Sequence, residues 1–120
     1  MKFWKERDSD WHDIVPGVKR RILSFDKDAM VVMFKIGPRT TIAKHSHPNA
    51  QHGVIIKGSG TFEFSNGKKH EVAENVAYYV PSNEEHTLQT GPAEENILVE
   101  IFTPPREDFR RESRNADLDP

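Results

Sequence analysis

The 120-residue chain contains no cysteine, which excludes disulfides and thiolate metal sites. No apolar run approaches the ~18 residues of a membrane span, so no membrane partner is expected. The opening residues, Met1 to Asp8, carry charges of both signs and no apolar run, with Phe3 and Trp4 among them. A secretory leader is therefore not expected, and a cytoplasmic location is. There is no basic stripe. The 17 Lys and Arg are scattered among 19 Asp and Glu, for a net charge of −2, so nucleic acid is not an expected partner. No amphipathic helix longer than two turns is legible, which argues against α and α/β architectures. No internal repeat or low-complexity segment is present. The length suits one domain with one core and one small cavity.

What is there is a series of short strand signals. Met30-Val31-Val32-Met33-Phe34-Lys35-Ile36 is rich in strand formers and stops at Gly37-Pro38. Thr40 to Lys44, Val54 to Ile56, Thr61 to Phe64, Glu71 to Ala73, Val76 to Val80, Thr87 to Gln89 and Ile97 to Phe102 follow, separated by turn residues. Ser65-Asn66-Gly67-Lys68 is the strongest hairpin signal. About nine short strands predict an all-β barrel or double-sheet jelly roll, which removes most exposed edges. Residues 1–17 read as an N-terminal arm with Trp4 and Trp11, ending at Pro16-Gly17. Residues 18–109 read as the barrel and 110–120 as a polar tail.

His45 and His47 lie two apart at a strand end, so both imidazoles aim at one face. Gln51 can swing back to the same point across a turn at Pro48-Asn49. Antiparallel strands could bring His86 beside them. A lone His-x-His in a β protein is commonly a surface accident. Here, however, it is framed by Gly37, with seven residues between it and His45, and Gly58, with six residues between Gln51 and it. Pro81, Asn83 and His86 form a second group. Both spacings resemble the two motifs of the cupins, with Asn83 where a glycine is usual and Gln51 where a glutamate is usual. Asn tolerates a left-handed backbone, so the turn at Asn83 survives. The resemblance implies one divalent metal ion held by His45, His47, Gln51 and His86. Three nitrogens and an amide oxygen accept nickel, zinc, manganese or iron(II).

An amide ligand leaves the ion its full charge, which favours Lewis acid chemistry. It cannot exchange protons near neutral pH. Another residue must do so in any enzyme built here, and Glu100 is the candidate catalytic group. It sits within Ile97-Leu98-Val99-Glu100-Ile101-Phe102 and shares a face with Leu98 and Phe102. If that face lines the cavity, burial raises its pKa and suits it to proton transfer. On an edge strand it would instead face solvent. Arg106, held near the barrel mouth by Pro104-Pro105, either binds a substrate carboxylate or pairs on the surface with Glu107 or Asp108. Tyr78 and Tyr79 point to opposite faces, so one of them could reach the cavity and act as a donor. His52 points away from the ligand set, and His12 and His70 read as solvated.

A closer resemblance spans about Trp11 to Phe109. Val18-Lys19-Arg20-Arg21-Ile22-Leu23, His45-Ser46-His47-Pro48, Gln51 and Phe102-Thr103-Pro104-Pro105-Arg106-Glu107-Asp108-Phe109 resemble the KdgF-type cupins of pectin and alginate degradation. The resemblance implies a small-molecule substrate, a 4,5-unsaturated uronate that is linearised to an open-chain keto acid without redox change. It implies that Glu100 (typically Asp in the family), Phe102 and Arg106 line the substrate site. It also implies a homodimer, to which Trp4 and Trp11 could contribute. Two other functions use the same fold: a metal-dependent dioxygenase of the quercetinase sort, against which Gln51 counts, and a non-catalytic binding or sensing module.

Overall fold

The computed structural model describes residues 1–113. Strand signals and turn residues alternate along them, and the chain folds accordingly into β1 (His12–Val15), β2 (Val18–Phe25), β3 (Met30–Ile36), β4 (Thr41–His45), β5 (Ala50–Lys57), β6 (Ser59–Phe64), β7 (Lys69–Ala73), β8 (Ala77–Val80), β9 (His86–Thr90) and β10 (Asn96–Thr103). A helical turn, α1 (Glu107–Arg110), follows. The strands form two sheets, ordered β1-β2-β3-β10-β5-β8 and β4-β9-β6-β7, with every neighbouring pair antiparallel. This is the all-β jelly roll expected. No helix among the described residues is long and apolar enough to cross a membrane.

β10 pairs with β3 on one side and β5 on the other, which makes it a central strand. Its alternation is strict: Asn96, Leu98, Glu100 and Phe102 are buried on the inner face. The edge-strand alternative for Glu100 therefore does not hold. One apolar cluster joins Ile36, Ile55 and Leu98 of the large sheet to Phe62, Val72 and Leu88 of the small one. A second gathers Ile22, Met30, Val32, Phe102 and Phe109. Each such side chain contributes about 1.5–3 kcal/mol when fully buried.

Two expectations about the ends need correction. The N-terminal arm contributes a strand, because Pro16-Gly17 is the two-residue turn of a β1–β2 hairpin, with Gly17 at φ 83°. Its tryptophans are engaged within the chain: Trp4 packs on Phe25 at 4.8 Å, and the Lys35 ammonium lies 4.4 Å from the Trp11 ring. His12, read as solvated, is half-buried and donates from Nε2 to the Glu112 carbonyl at 3.1 Å. A helical turn follows Pro105, and the polar tail expected over 110–120 lies outside the described residues beyond residue 113.

Between the sheets, the chain passes from β5 to β6 through Gly58 at φ 98°. Asn96 locks this crossing. It is fully buried, accepts from the Ser59 N–H at 3.0 Å and donates to the Ser59 carbonyl at 2.8 Å. Asn96→Ala removes both bonds, and we expect it to cost about 2–3 kcal/mol. The loss should appear as a lower urea midpoint at unchanged slope. A midpoint equal to that of the parent protein would show that the clamp contributes nothing.

Candidate metal centre

His45 and His86 face each other across the β4–β9 pairing. His47 lies just past the end of β4, where its carbonyl accepts from the Asn83 N–H at 2.8 Å. Asn83 adopts the left-handed conformation, φ 65°, that its place in the motif requires. One ring nitrogen from each histidine can be chosen so that all three lie within 4.8 Å of one another.

The tautomers follow from the main chain. His45 Nδ1–H donates to the Ala43 carbonyl at 2.8 Å, His47 Nδ1–H to the Asn49 carbonyl at 2.9 Å, and His86 Nδ1–H to the Glu84 carbonyl at 2.7 Å. A carbonyl can only accept, so each Nδ1 carries the proton and each Nε2 presents a lone pair. Metal-binding histidines are oriented in this way. Burial lowers the pKa of His47, helped by the charge of Arg106, and lowers that of His86 to about 4. Both rings are therefore neutral at physiological pH and available as ligands.

Two observations test whether this donor set fits a cation. His86 Nε2 is buried without a hydrogen-bond partner, a costly arrangement for a polar atom. Gln51, on β5, donates its amide N–H to Glu100, which turns its Oε1 toward His47 Nε2 at 3.0 Å. With the His47 proton on Nδ1, two lone pairs face each other there. A divalent ion relieves both defects, and imidazole nitrogens with an amide oxygen suit one. The three histidines are thus a possible metal site, with Gln51 beside it.

His45, Gln51 and His86 open onto a cavity of about 560 Å³ with walls that include Phe34, Ile36, Leu98 and Phe102. Glu100 is the only carboxyl group among the described residues that lines it. Burial pushes its pKa up to about 7, while hydrogen bonds from Tyr78 and Gln51 and the charge of Arg106 pull the other way. Of the two tyrosines, Tyr78 faces inward and donates to Glu100 Oε2 at 3.0 Å. Tyr79 is exposed and packs on His52 at 4.6 Å.

Arg106 has the Asp108 partner posed for it and also faces the cavity. It lines the cavity, 4.2 Å above the Phe109 ring, and also grips Asp108 through Nε at 3.1 Å and Nη2 at 2.9 Å. Two further residues emerge from the geometry alone. Asn49 is buried; its carbonyl holds His47, and its side chain donates to the Pro104 carbonyl at 2.7 Å, tying the histidine to the segment that carries Arg106. Arg20 lines the cavity 3.6 Å from the Phe109 ring, paired with Glu112 at 2.5 Å. Its inward position between Val18 and Ile22 was a usable signal, since a charge on an apolar face requires a partner. Asn49 carried no such mark in the sequence.

The geometry can be set beside known proteins. The chain is 25% identical over 109 residues to the pectin degradation protein KdgF of Dickeya dadantii, covering 90% of this chain and 97% of that one. The solved structure of KdgF from a Halomonas species superposes with a TM-score of 0.82 at 24% identity, over 91% of this chain and 98% of that one. The polyketide cyclase RemF of Streptomyces resistomycificus superposes with a TM-score of 0.75 at 20% identity, over 89% of this chain and 82% of that one. The cupin domain model matches residues 32–102, more than half of the sequence. This chain belongs to the cupin family and is similar in sequence and in fold to KdgF.

Proposed function

We propose that this cupin is a metal-dependent, non-redox enzyme that opens the ring of 4,5-unsaturated uronates to give open-chain keto acids. The observation that carries the reading is the meeting, around one cavity, of converging histidines, a single buried carboxyl group and an arginine. The likeness to KdgF, a protein of pectin degradation by name, supports the substrate class.

In this reading His45, His47, Gln51 and His86 hold one divalent ion. Such an ion supplies Lewis acidity, which polarises an oxygen or stabilises an enolate. The Asp108 pair uses Nε and Nη2 of Arg106, so Nη1 serves the substrate carboxylate. Phe102 forms an apolar wall beside Arg106, their centres 5.2 Å apart. Glu100 takes the proton of the anomeric hydroxyl, C1 becomes a carbonyl and the bond from C1 to the ring oxygen breaks. The electron pair passes to the ring oxygen as an enolate. Glu100 then returns the proton to C4, and the enolate collapses to the ketone. One proton is borrowed and returned, so the step is an isomerisation with no oxidant and no thiol. The proposal includes a homodimer, supported by Ile56, Tyr79 and Ile101 exposed on the outer face of the large sheet.

The direct test is incubation of metal-loaded protein with 4,5-unsaturated galacturonate, following the alkene absorbance near about 230 nm against an EDTA-stripped control. Metal-dependent acceleration of its decay is expected; equal decay in both samples would overturn the reading. His86→Ala should lower the bound metal well below one ion per chain by elemental analysis. Full occupancy in that variant would remove His86 from the ligand set. Glu100→Gln should keep its metal and lose at least about 100-fold in kcat. Arg106→Ala should raise KM about tenfold or more, and an unchanged KM would leave it a purely structural residue.

A further inference from the structure

Tyr78, Gly53 and Glu100 lie in one row across three strands. Gly53 is the register partner of Tyr78 in β8 on one side and of Glu100 in β10 on the other. Strands two apart in a sheet are separated by about 9.5 Å, so their side chains are ordinarily kept apart by the one between. Here no side chain intervenes. A Cβ built on Gly53 would clash with the Tyr78 side chain, against Cζ, Cε2 and the hydroxyl oxygen. The ring lies across the bare backbone, braced by Phe62 at 4.7 Å, and its hydroxyl reaches Glu100 Oε2 at 3.0 Å.

That bond has a partner on the same oxygen. The Gln51 amide N–H also donates to Oε2. Both donors therefore converge on one carboxylate oxygen, and Oε1 accepts no hydrogen bond from the described residues. Glu100 itself lines the cavity, which leaves Oε1 as the carboxylate oxygen free to serve it. Burial and the neighbouring carboxylate raise the pKa of the Tyr78 phenol, which keeps it a donor.

We infer that Tyr78 is a positioning residue: reaching across the gap left by Gly53, it fixes Oε2 of Glu100 and turns Oε1 to the cavity as the oxygen that exchanges a proton with the substrate. The inference rests on the proton-transfer reading of Glu100 given above. Gly53 is the clearance that makes the contact possible, and its requirement is steric rather than conformational. A larger residue there displaces the ring and severs the bond. Without Tyr78 the carboxylate is held by Gln51 alone and can rotate about its last two torsions. A misplacement of about 1 Å at a reacting group costs up to about a hundredfold in rate.

The test uses the metal-loaded full chain and the variants Tyr78→Phe and Gly53→Ala. Crystal structures without substrate read the position of Glu100 directly, whatever the substrate is. In Tyr78→Phe the carboxylate should leave its parent orientation, with metal content and melting temperature close to those of the parent. On the unsaturated uronate, kcat should fall about 10–100-fold while KM stays within about twofold, because the substrate carboxylate is still held by Arg106. Gly53→Ala should reproduce the drop in kcat by expelling the ring; if it does not fold, Tyr78→Phe decides alone. A Glu100 side chain unmoved in Tyr78→Phe overturns the inference, as does an unchanged kcat. Parent protein inactive on the uronate would overturn the substrate reading, and the crystal structures would then decide the positioning claim.

Discussion

Each imidazole of the site commits its Nδ1–H to a main-chain carbonyl two residues away, and the rest of the centre depends on that bond. It fixes the tautomer, sets the ring plane and leaves Nε2 as a lone pair with one direction to point. The energy of a single such bond is modest, about 1 kcal/mol net. Its value lies in removing alternatives, because a ring that could flip or change tautomer would present a proton to the centre half the time. Burial then keeps His47 and His86 neutral, so the lone pairs persist at physiological pH.

The two sheets divide the work. The four-stranded sheet brings His45 and His86 together as register partners. The six-stranded sheet carries Gln51, Tyr78 and Glu100 on its inner face. Gln51 is where the two meet: its amide oxygen faces His47 and its amide N–H is given to Glu100. One planar group thus ties the orientation of the acid/base candidate to that of the histidine cluster. A glutamate at this place would face Glu100 as a second carboxyl group, and the two could pair only by sharing a proton.

Much of this was legible in the sequence where a residue conflicted with its surroundings. Glu100 in an apolar strand, histidines two apart at a strand end and the glycines that frame them all stand out against the period-two pattern. The same rule marked Arg20, which faces the cavity between Val18 and Ile22 and was passed over. What stayed hidden depended on register. Choosing between Tyr78 and Tyr79 requires knowing which residue of β5 lies opposite, and strand periodicity gives faces, not partners. β1 was missed because four residues with two polar members carry little signal, and because Pro16-Gly17 reads equally as the end of an arm or the turn of a hairpin. Asn49 is a polar residue in a turn, where such residues need no explanation.

β10 lies at the centre of the large sheet yet is its last strand in chain order. During synthesis β3 and β5 emerge with facing edges that nothing fills until Asn96 to Thr103 has left the ribosome. Unpaired edges of this kind invite pairing with other chains. The strand that closes the sheet also delivers Glu100 and Phe102 to the cavity, so the cavity is not walled before the fold is complete. Premature release would yield a product with an open sheet and prone to aggregate, and pairing between segments distant in sequence is slow in folding.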